Sequence, residues 1–386
     1  MLKVGYVVAE KACLAPGSGA CQHIRVGMEQ LGKQFAVTLL TPEGEMAEGE
    51  GARQTSEPTK SREADSSLVR GFLRDVVCLL RRSRQALRTC LAVRKQGFDF
   101  VYYRACFLDP FPFFCRVAGI PCFIEANGLQ FESRRKYYRS PLESWNRWFE
   151  RLSYRVASHV FFVGSYGDYW NLPGDNWSNV ENGVESEFLD HFKEVKSPTD
   201  GPVRLAFVGS LMRHHRPDVL VDAVKQFAAQ HEAEIHLIGS KLEPVEAALR
   251  DEVPVVSHGF LKRSALAEVL AGMDVGLISG APEYQSQMKL FDYGAARLAV
   301  VAPDTAHLKA WHGDVLAFFP KGDAAAMAER LEELVTDPQS RVRLGSALHD
   351  RIRERFTWER VFDAKVRIIR AELEAMGDSR VGTELS

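Results

Sequence analysis

The feature that most constrains this chain is a series of short, almost unbroken runs of Val, Ile, Leu and Phe, each separated from the next by a stretch of helical character. A strand with one wet face alternates apolar and polar residues. Continuous runs indicate strands covered on both faces, and therefore parallel sheets flanked by helices. The runs predict strands at Lys3–Glu10, Ala36–Pro42, Asp99–Ala105, Pro121–Asn127 and His159–Gly164. After Asn182-Gly183-Val184 the pattern starts again, at Val203–Ser210, Ala233–Ser240, Val255–Gly259, Val275–Ser279, Ala299–Pro303 and Leu316–Pro320. Helices between such strands imply right-handed βαβ crossovers.

The expected fold class is α/β, with two doubly wound domains facing a central cleft. A length of 386 residues accommodates two domains. The expected first domain is 1–185 and the second 186–360, with KEVKSPTDGPVR near the junction. The segment 361–386 is expected to be a last helix with a frayed tail, and Thr357 is expected to cap it. Glu43–Asp65, with seven acidic and three basic residues, reads as a mobile loop. In open α/β sheets ligands bind at the carboxyl ends of the strands, so those ends are where chemistry is sought.

Composition removes several classes. Hydrophobic residues make up 46% and charged residues 26%, the balance of a globular chain with a sizeable core. The formal net charge of −2 lacks the basic footprint of a general nucleic-acid binder. All seven cysteines fall in the first third, without CxxC spacing, and read as buried small hydrophobes in a reducing compartment. No metal site is visible. MLKVGYVVAE reads as a first strand and not a signal peptide. No run approaches the ~18 apolar residues that a membrane-spanning helix needs. The expected location is the cytoplasm.

Three loops carry candidate chemistry. In AEKACLAPGSGACQHIRVGMEQLGK, Gly17 and Gly19 precede a helix expected to begin near Ala20, where free N–H groups can meet an anion or a sugar oxygen. The third glycine of a dinucleotide fingerprint is missing. His23, one turn on, is either a site residue or a satisfied surface histidine. In VRLAFVGSLMRHHRPDVLVDAVKQF, a strand ends at Gly209-Ser210, and Arg213, His214, His215 and Arg216 fill the loop before Pro217 opens a helix. Two arginines at the carboxyl end of a parallel strand suit a diphosphate; the alternative is a solvated turn. In APEYQSQMKLFDYGAARLAVVAPD, Glu283 and Lys289 flank a loop-to-helix junction. Backbone N–H groups near Ser286–Met288 can hold phosphate oxygens, Lys289 adds a point charge, and Asp292 can accept from a ribose diol. The alternative is again a solvated helix face.

With these residues placed, the chain resembles the GT-B-fold glycosyltransferases, and among them glycosyltransferase family 4 (glycosyl transferases group 1). The resemblance spans almost the whole chain and is firmest over 203–323. It is carried by FVGSLMRHHRPDVLVDA, AEIHLIGS, VVSHGFLKRSALAEVLAGMDVGLIS, MKLFDYGAARLAVVAP and FFPKGDAAAMAERLEEL, which follow the family's order. In the first half IPCFIEANGLQFE, ERLSYRVASHVFFVGSYGDYW and VENGVESEF are also similar.

The resemblance implies two Rossmann-like domains, an acceptor domain followed by a donor domain, with the last helix packing back on the first. It implies metal-independent transfer of a sugar from a nucleotide-diphosphate sugar, UDP- or GDP-linked, with retained anomeric configuration and no covalent enzyme intermediate. Gly209, Ser210, Arg213, Arg216, Ser286, Lys289, Leu290 and Asp292 are the implied donor-binding set. Asn127, Glu283 and Lys289 are the implied catalytic set, and Gly17, Gly19, His23 and Glu125 the implied acceptor or cleft set. Departures from the family pattern are specific. Asp292 stands where a second Glu is usual, and Glu283 is one residue too far from it. The usual Arg and Lys of the diphosphate loop fall at Ser210 and His215. Asn127 occupies a position where many members have His. The implied role is surface polysaccharide or glycoconjugate synthesis on a glycan, glycolipid or lipid-linked acceptor. The alternatives are a non-catalytic sugar-nucleotide-binding protein or a GT-B nucleotide-sugar epimerase.

Two segments suggest a membrane surface as a further partner. Ser66–Lys95 holds eight Arg or Lys and one acid, Asp75, with Leu and Val at helical spacing. ESRRKYYRSPLESWNRWFERLSYR interleaves cations with Tyr and Trp. A basic amphipathic helix can lie on an anionic bilayer, giving a peripheral location on the inner membrane face. The other reading packs the apolar stripe on the sheet and leaves the arginines in water.

Overall fold

The computed structural model describes residues 1–14, 19–41, 44–45, 68–132, 142–194 and 201–384. The chain divides into two compact units, Met1–Val180 with Phe362–Ser386, and Glu181–Val361.

The first unit runs β1 (Lys3–Val8), α1 (Gly19–Gly32), β2 (Ala36–Thr41), β3 (Gly44–Glu45), α2 (Leu68–Gln96) and β4 (Phe100–Arg104). It continues with α3 (Phe111–Ala118), β5 (Cys122–Ala126), α4 (Glu143–Val156), β6 (His159–Val163), α5 (Tyr166–Trp170) and β7 (Trp177–Val180). Among the described residues its sheet has seven strands in the order β3-β2-β1-β4-β5-β6-β7. All pairings are parallel except the short β2–β3 edge. The strands β4, β5 and β6 are buried almost throughout, as their unbroken apolar runs require. The pattern reading missed β7 because WSNV is short, half-polar and only half-buried, the signature of an edge. Apart from β3, the segment Glu43–Asp65 lies outside the described residues.

The second unit holds α6 (Ser186–Leu189), β8 (Val203–Val208), α7 (Pro217–Ala228), β9 (Ala233–Ile238), α8 (Glu243–Leu249), β10 (Val255–Gly259), α9 (Arg263–Ala271) and β11 (Val275–Leu277). Then follow α10 (Met288–Ala295), β12 (Ala299–Pro303), α11 (Ala306–His312), β13 (Ala317–Phe319), α12 (Ala324–Thr336) and α13 (Pro338–Arg355). Its strands are ordered β10-β9-β8-β11-β12-β13, and all pair in parallel. Because successive strand residues face opposite sides, the core splits into two layers. Leu205 and Phe207 pack on one side with Val219 and Met327, while Ala206 packs on the other with Leu290 and Leu348.

A last helix, α14 (Trp358–Glu384), ends the chain. Thr357 caps it as expected, its Oγ1 accepting the Arg360 N–H at 3.4 Å. The tail expected to fray continues this helix through Glu384. All seven cysteines are free thiols; Cys90, Cys115 and Cys122 are buried, and the other four are half-buried rather than buried as expected.

Candidate functional site

In the second unit the chain begins at β8, winds outward to β10, and returns across β8 to β11. The carboxyl edge between β8 and β11 is therefore the topological switch point, where neighbouring strands part and leave a crevice. Only Leu205 and Ala206 of β8 pair with β11. Beyond them the Tyr293 hydroxyl, delivered by α10, accepts the Val208 N–H at 2.8 Å. It also stands 3.1 and 3.2 Å from the carbonyls of Ala206 and Leu277, to one of which it donates. This hydroxyl replaces ladder bonds that the parting strands cannot make.

Gly209 follows β8 with φ +130°, and Gly239 follows β9 with φ +144°. A Cβ on Gly239 would lie 2.1 Å from the Gly209 carbonyl oxygen, so neither the angle nor the approach admits a side chain. The Ser210 and Ser240 hydroxyls bond to each other at 2.6 Å. Lys289 sits in the first turn of α10, four residues before Tyr293 and on the same face. Its Nζ would be 3.5 Å from a Cβ on Gly209 and lies 4.1 Å from the centre of the Phe207 ring. The amine is buried, and burial alone pulls its pKa down to about 7. No carboxylate of the described residues pairs with it. His215 is pushed down to about 3, first by burial and then by the charges of Lys289 and His214.

The other expected donor residues are distributed around this point. Arg213 is exposed. Arg216 has φ +49° and pairs with Asp218 through Nη2 at 2.6 Å, so its guanidinium is already engaged. The Leu290 side chain is core and its N–H donates to Gln287 O. Asp292 accepts from Arg263 Nη1 at 2.7 Å, and Arg263 Nη2 meets Glu185 at 2.6 Å. Burial raises the Asp292 pKa; Arg263 opposes the shift without cancelling it. The Ser286 hydroxyl holds Asn182 Nδ2 at 2.9 Å and bonds Glu181. Glu283 accepts the Ala306 N–H at 2.8 Å and pairs with Lys321 at 3.0 Å. It thereby caps α11, and these bonds hold its pKa below the usual range against the opposing effect of burial.

Glu181 escaped the sequence reading. It is buried 2.6 Å from His307 Nε2 and 3.4 Å from His312 Nε2. Burial would raise its pKa, but the two imidazoles hold it at about 2. Nothing in the local sequence joins Glu181 to histidines more than a hundred residues away. Only VENGVESEF marked the place.

In the first unit the acceptor candidates converge on Glu125. Its carboxylate is fully buried and takes Tyr102 OH at 2.6 Å, Arg104 Nη1 at 3.1 Å, Asn127 Nδ2 at 3.1 Å, His23 Nδ1 at 3.0 Å and Lys365 Nζ at 2.9 Å. Five donors saturate the four or so lone-pair sites of one carboxylate. Burial disfavours its charge, but His23, Lys365 and Arg104 outweigh that and hold the pKa well below the usual range. His23 is buried on α1, which overturns the surface-histidine alternative. Gly19 begins α1, one residue ahead of the expected start, and Gly17 lies outside the described residues. Lys365, from α14, was not anticipated. Its signal was an uninterpreted lysine among the apolar residues of the last helix.

By sequence, residues 202–337 match the family Glycosyl transferases group 1. No curated protein matches the chain. By structure, it is similar to sucrose-phosphate synthase from Thermosynechococcus elongatus, at TM-score 0.70 and 15% identity, covering 97% of this chain and 100% of that one. It is similar to Anabaena HepE in complex with UDP and glucose, at TM-score 0.62 and 13% identity, covering 96% and 100%. It is also similar to WaaG, a glycosyltransferase involved in lipopolysaccharide biosynthesis, at TM-score 0.62 and 13% identity, covering 95% and 99%. The chain thus has the GT-B fold, and its second unit carries the sequence pattern of glycosyl transferases group 1.

Proposed function

We propose that this protein is a retaining, metal-independent glycosyltransferase that moves a sugar from a UDP- or GDP-sugar to a glycan, glycolipid or lipid-linked acceptor. One observation carries the reading: the buried Lys289 amine, without a carboxylate partner among the described residues, stands against the side-chain-free Gly209 at the β8/β11 switch point. A buried cation without a counter-charge is costly, and a pyrophosphate seated on this glycine supplies one.

Transfer forms a bond from the acceptor oxygen to the anomeric carbon and breaks the bond from that carbon to the β-phosphate oxygen. The acceptor proton passes to the departing phosphate. Negative charge on the leaving group grows along this path, so Lys289, the N–H groups at the start of α10 and Arg213 stabilise the transition state more than the ground state. Asp292 binds the ribose through whatever acceptor capacity Arg263 leaves. The first unit, organised around Glu125, receives the acceptor, with His23 and Asn127 oriented by that carboxylate. Cytoplasmic work at a membrane face, in surface polysaccharide or glycoconjugate synthesis, belongs to the same reading. WaaG, which this chain resembles in structure, is involved in lipopolysaccharide biosynthesis, and that supports this part of the reading.

Both Glu283 oxygens are occupied, by the Ala306 N–H and by Lys321, which favours a second reading in which the protein binds sugar nucleotides without transferring them. Thermal-shift titration with UDP and GDP tests binding, because a ligand of the folded state raises Tm. A rise in wild type that disappears in Lys289→Ala is expected; no rise with any nucleoside diphosphate would overturn both readings. Product NMR then decides between transfer with retention and no transfer.

A further inference from the structure

Helix α2 buries one face and leaves the opposite face apolar as well. Gly71, Asp75, Arg82, Ala86, Cys90 and Val93 are buried, at spacings of three, four and seven that mark a single stripe. Rotated half a turn away, Leu73, Val77, Leu80, Leu87 and Leu91 form a second stripe at the same spacing, and all are exposed; Leu80 is 65% open. A solvated helix carries polar residues there. Here the stripe is interrupted only by Arg84 and is flanked by Arg81 and Arg88, both exposed.

The same layer continues across the first unit. Helix α3 packs against both α2 and α4. It exposes Val117 at 88%, and α4 exposes Trp145 and Trp148. Nine of the thirteen large apolar side chains exposed among the described residues lie on these three helices. Their exposed charges have one sign. The acids Asp75 and Glu150 are buried and Glu143 is half-buried, whereas Arg94, Lys95, Arg116, Arg147, Arg151 and Arg155 are exposed. The chain as a whole carries −2, so this positive field is a local segregation.

We infer that the outward face of α2, with α3 and α4 beside it, is a docking surface for an anionic lipid bilayer. Apolar residues backed by arginines and interfacial tryptophans match the acyl–headgroup boundary of such a surface. No helix of the described residues is long and apolar enough to cross a membrane. Helix α2, about 44 Å long at 1.5 Å per residue, therefore lies in the interface plane. This deepens the membrane-facing part of the preceding reading and rests on it only there.

The test is sedimentation of the full chain with vesicles of phosphatidylcholine and phosphatidylglycerol in equal parts, against phosphatidylcholine alone. The paired substitution Leu80→Glu with Leu87→Glu, and the triple Arg81→Ser, Arg84→Ser, Arg88→Ser, are run beside wild type. Wild type is expected to sediment with the anionic vesicles and less so as salt rises. The arginine triple is expected to bind on the order of 100-fold more weakly, and the leucine pair to stay in the supernatant. All of these residues are exposed, so Tm and its shift with UDP or GDP are expected to match wild type. That readout separates failure here from failure of the donor site. Wild type remaining in the supernatant at moderate salt overturns the inference, as does unaltered sedimentation of the leucine pair. Self-association of wild type that the leucine pair abolishes, without vesicle binding, also overturns it and assigns the face to a second copy of the chain.

Discussion

The ring of Tyr293 fills the space that a side chain at position 276 would need: a Cβ on Gly276 would stand 2.5 Å from Tyr293 Cγ. This contact seats α10 on β11, and the hydroxyl at the far end of the ring closes the gap between β8 and β11. Lys289 is therefore placed by its neighbour one turn along the helix, through a glycine on a strand. Gly276→Ala is expected to cost about 1–3 kcal/mol through overpacking and to weaken nucleoside-diphosphate binding, although residue 276 lies on β11 and not in the Gly209 loop. Tyr293→Phe keeps the ring and leaves the Val208 N–H without its acceptor, at about 1–3 kcal/mol. Urea denaturation with UDP or GDP titration checks both.

Lys289 gives a pH dependence of known sign. Its folded pKa of about 7 lies below its ordinary value of 10.5. The unfolded chain therefore binds more protons between those values, and stability gains from this group as pH rises through that window. Below about pH 7 the full cost of a buried charge is present. Lys289→Met is expected to be more stable than wild type at neutral pH and to lose that advantage as pH rises toward 10. Diphosphate binding restores the charge, so calorimetry at about pH 8 in two buffers of different ionisation enthalpy should report proton uptake. Binding without proton exchange would refute this.

Glu125 and Lys365 form a buried pair that also fastens α14 to the sheet. Removing one partner strands a charge, so Lys365→Met is expected to cost about 3–5 kcal/mol. The double variant with Glu125→Gln should recover part of that loss. A double-mutant cycle by chemical denaturation measures the coupling; additive losses would show that the pair is not a unit.

Glu181 governs part of the acid limb. Its pKa falls from the ordinary 4.5 to about 2 in the folded chain. Its contribution is complete above the unfolded value and disappears as pH drops toward the folded one. Wild type should lose stability relative to Glu181→Gln between about pH 5 and pH 2, read as converging urea midpoints. Parallel midpoints would remove Glu181 from the acid response.

The chain's pattern of continuous apolar runs determined the α/β class, all six strands of the second sheet and the position of the Gly209 loop. These are local properties: a strand covered on both faces must be apolar throughout, and a glycine that closes such a strand before a helix needs no tertiary information to be noticed. The identity of Lys289 as a candidate was legible for the same reason, since it begins a helix after a loop. Its lack of a counter-charge among the described residues was not, because burial and pairing depend on what the rest of the chain brings near. Tertiary structure alone decided that Glu283 caps α11, that Arg216 folds onto Asp218, and that Glu125 gathers His23, Asn127 and Lys365. It also decided the fate of α2. A sequence with apolar residues around most of a helix does not say which stripe turns inward; packing against α3 consumes part of one, and the other is left facing out.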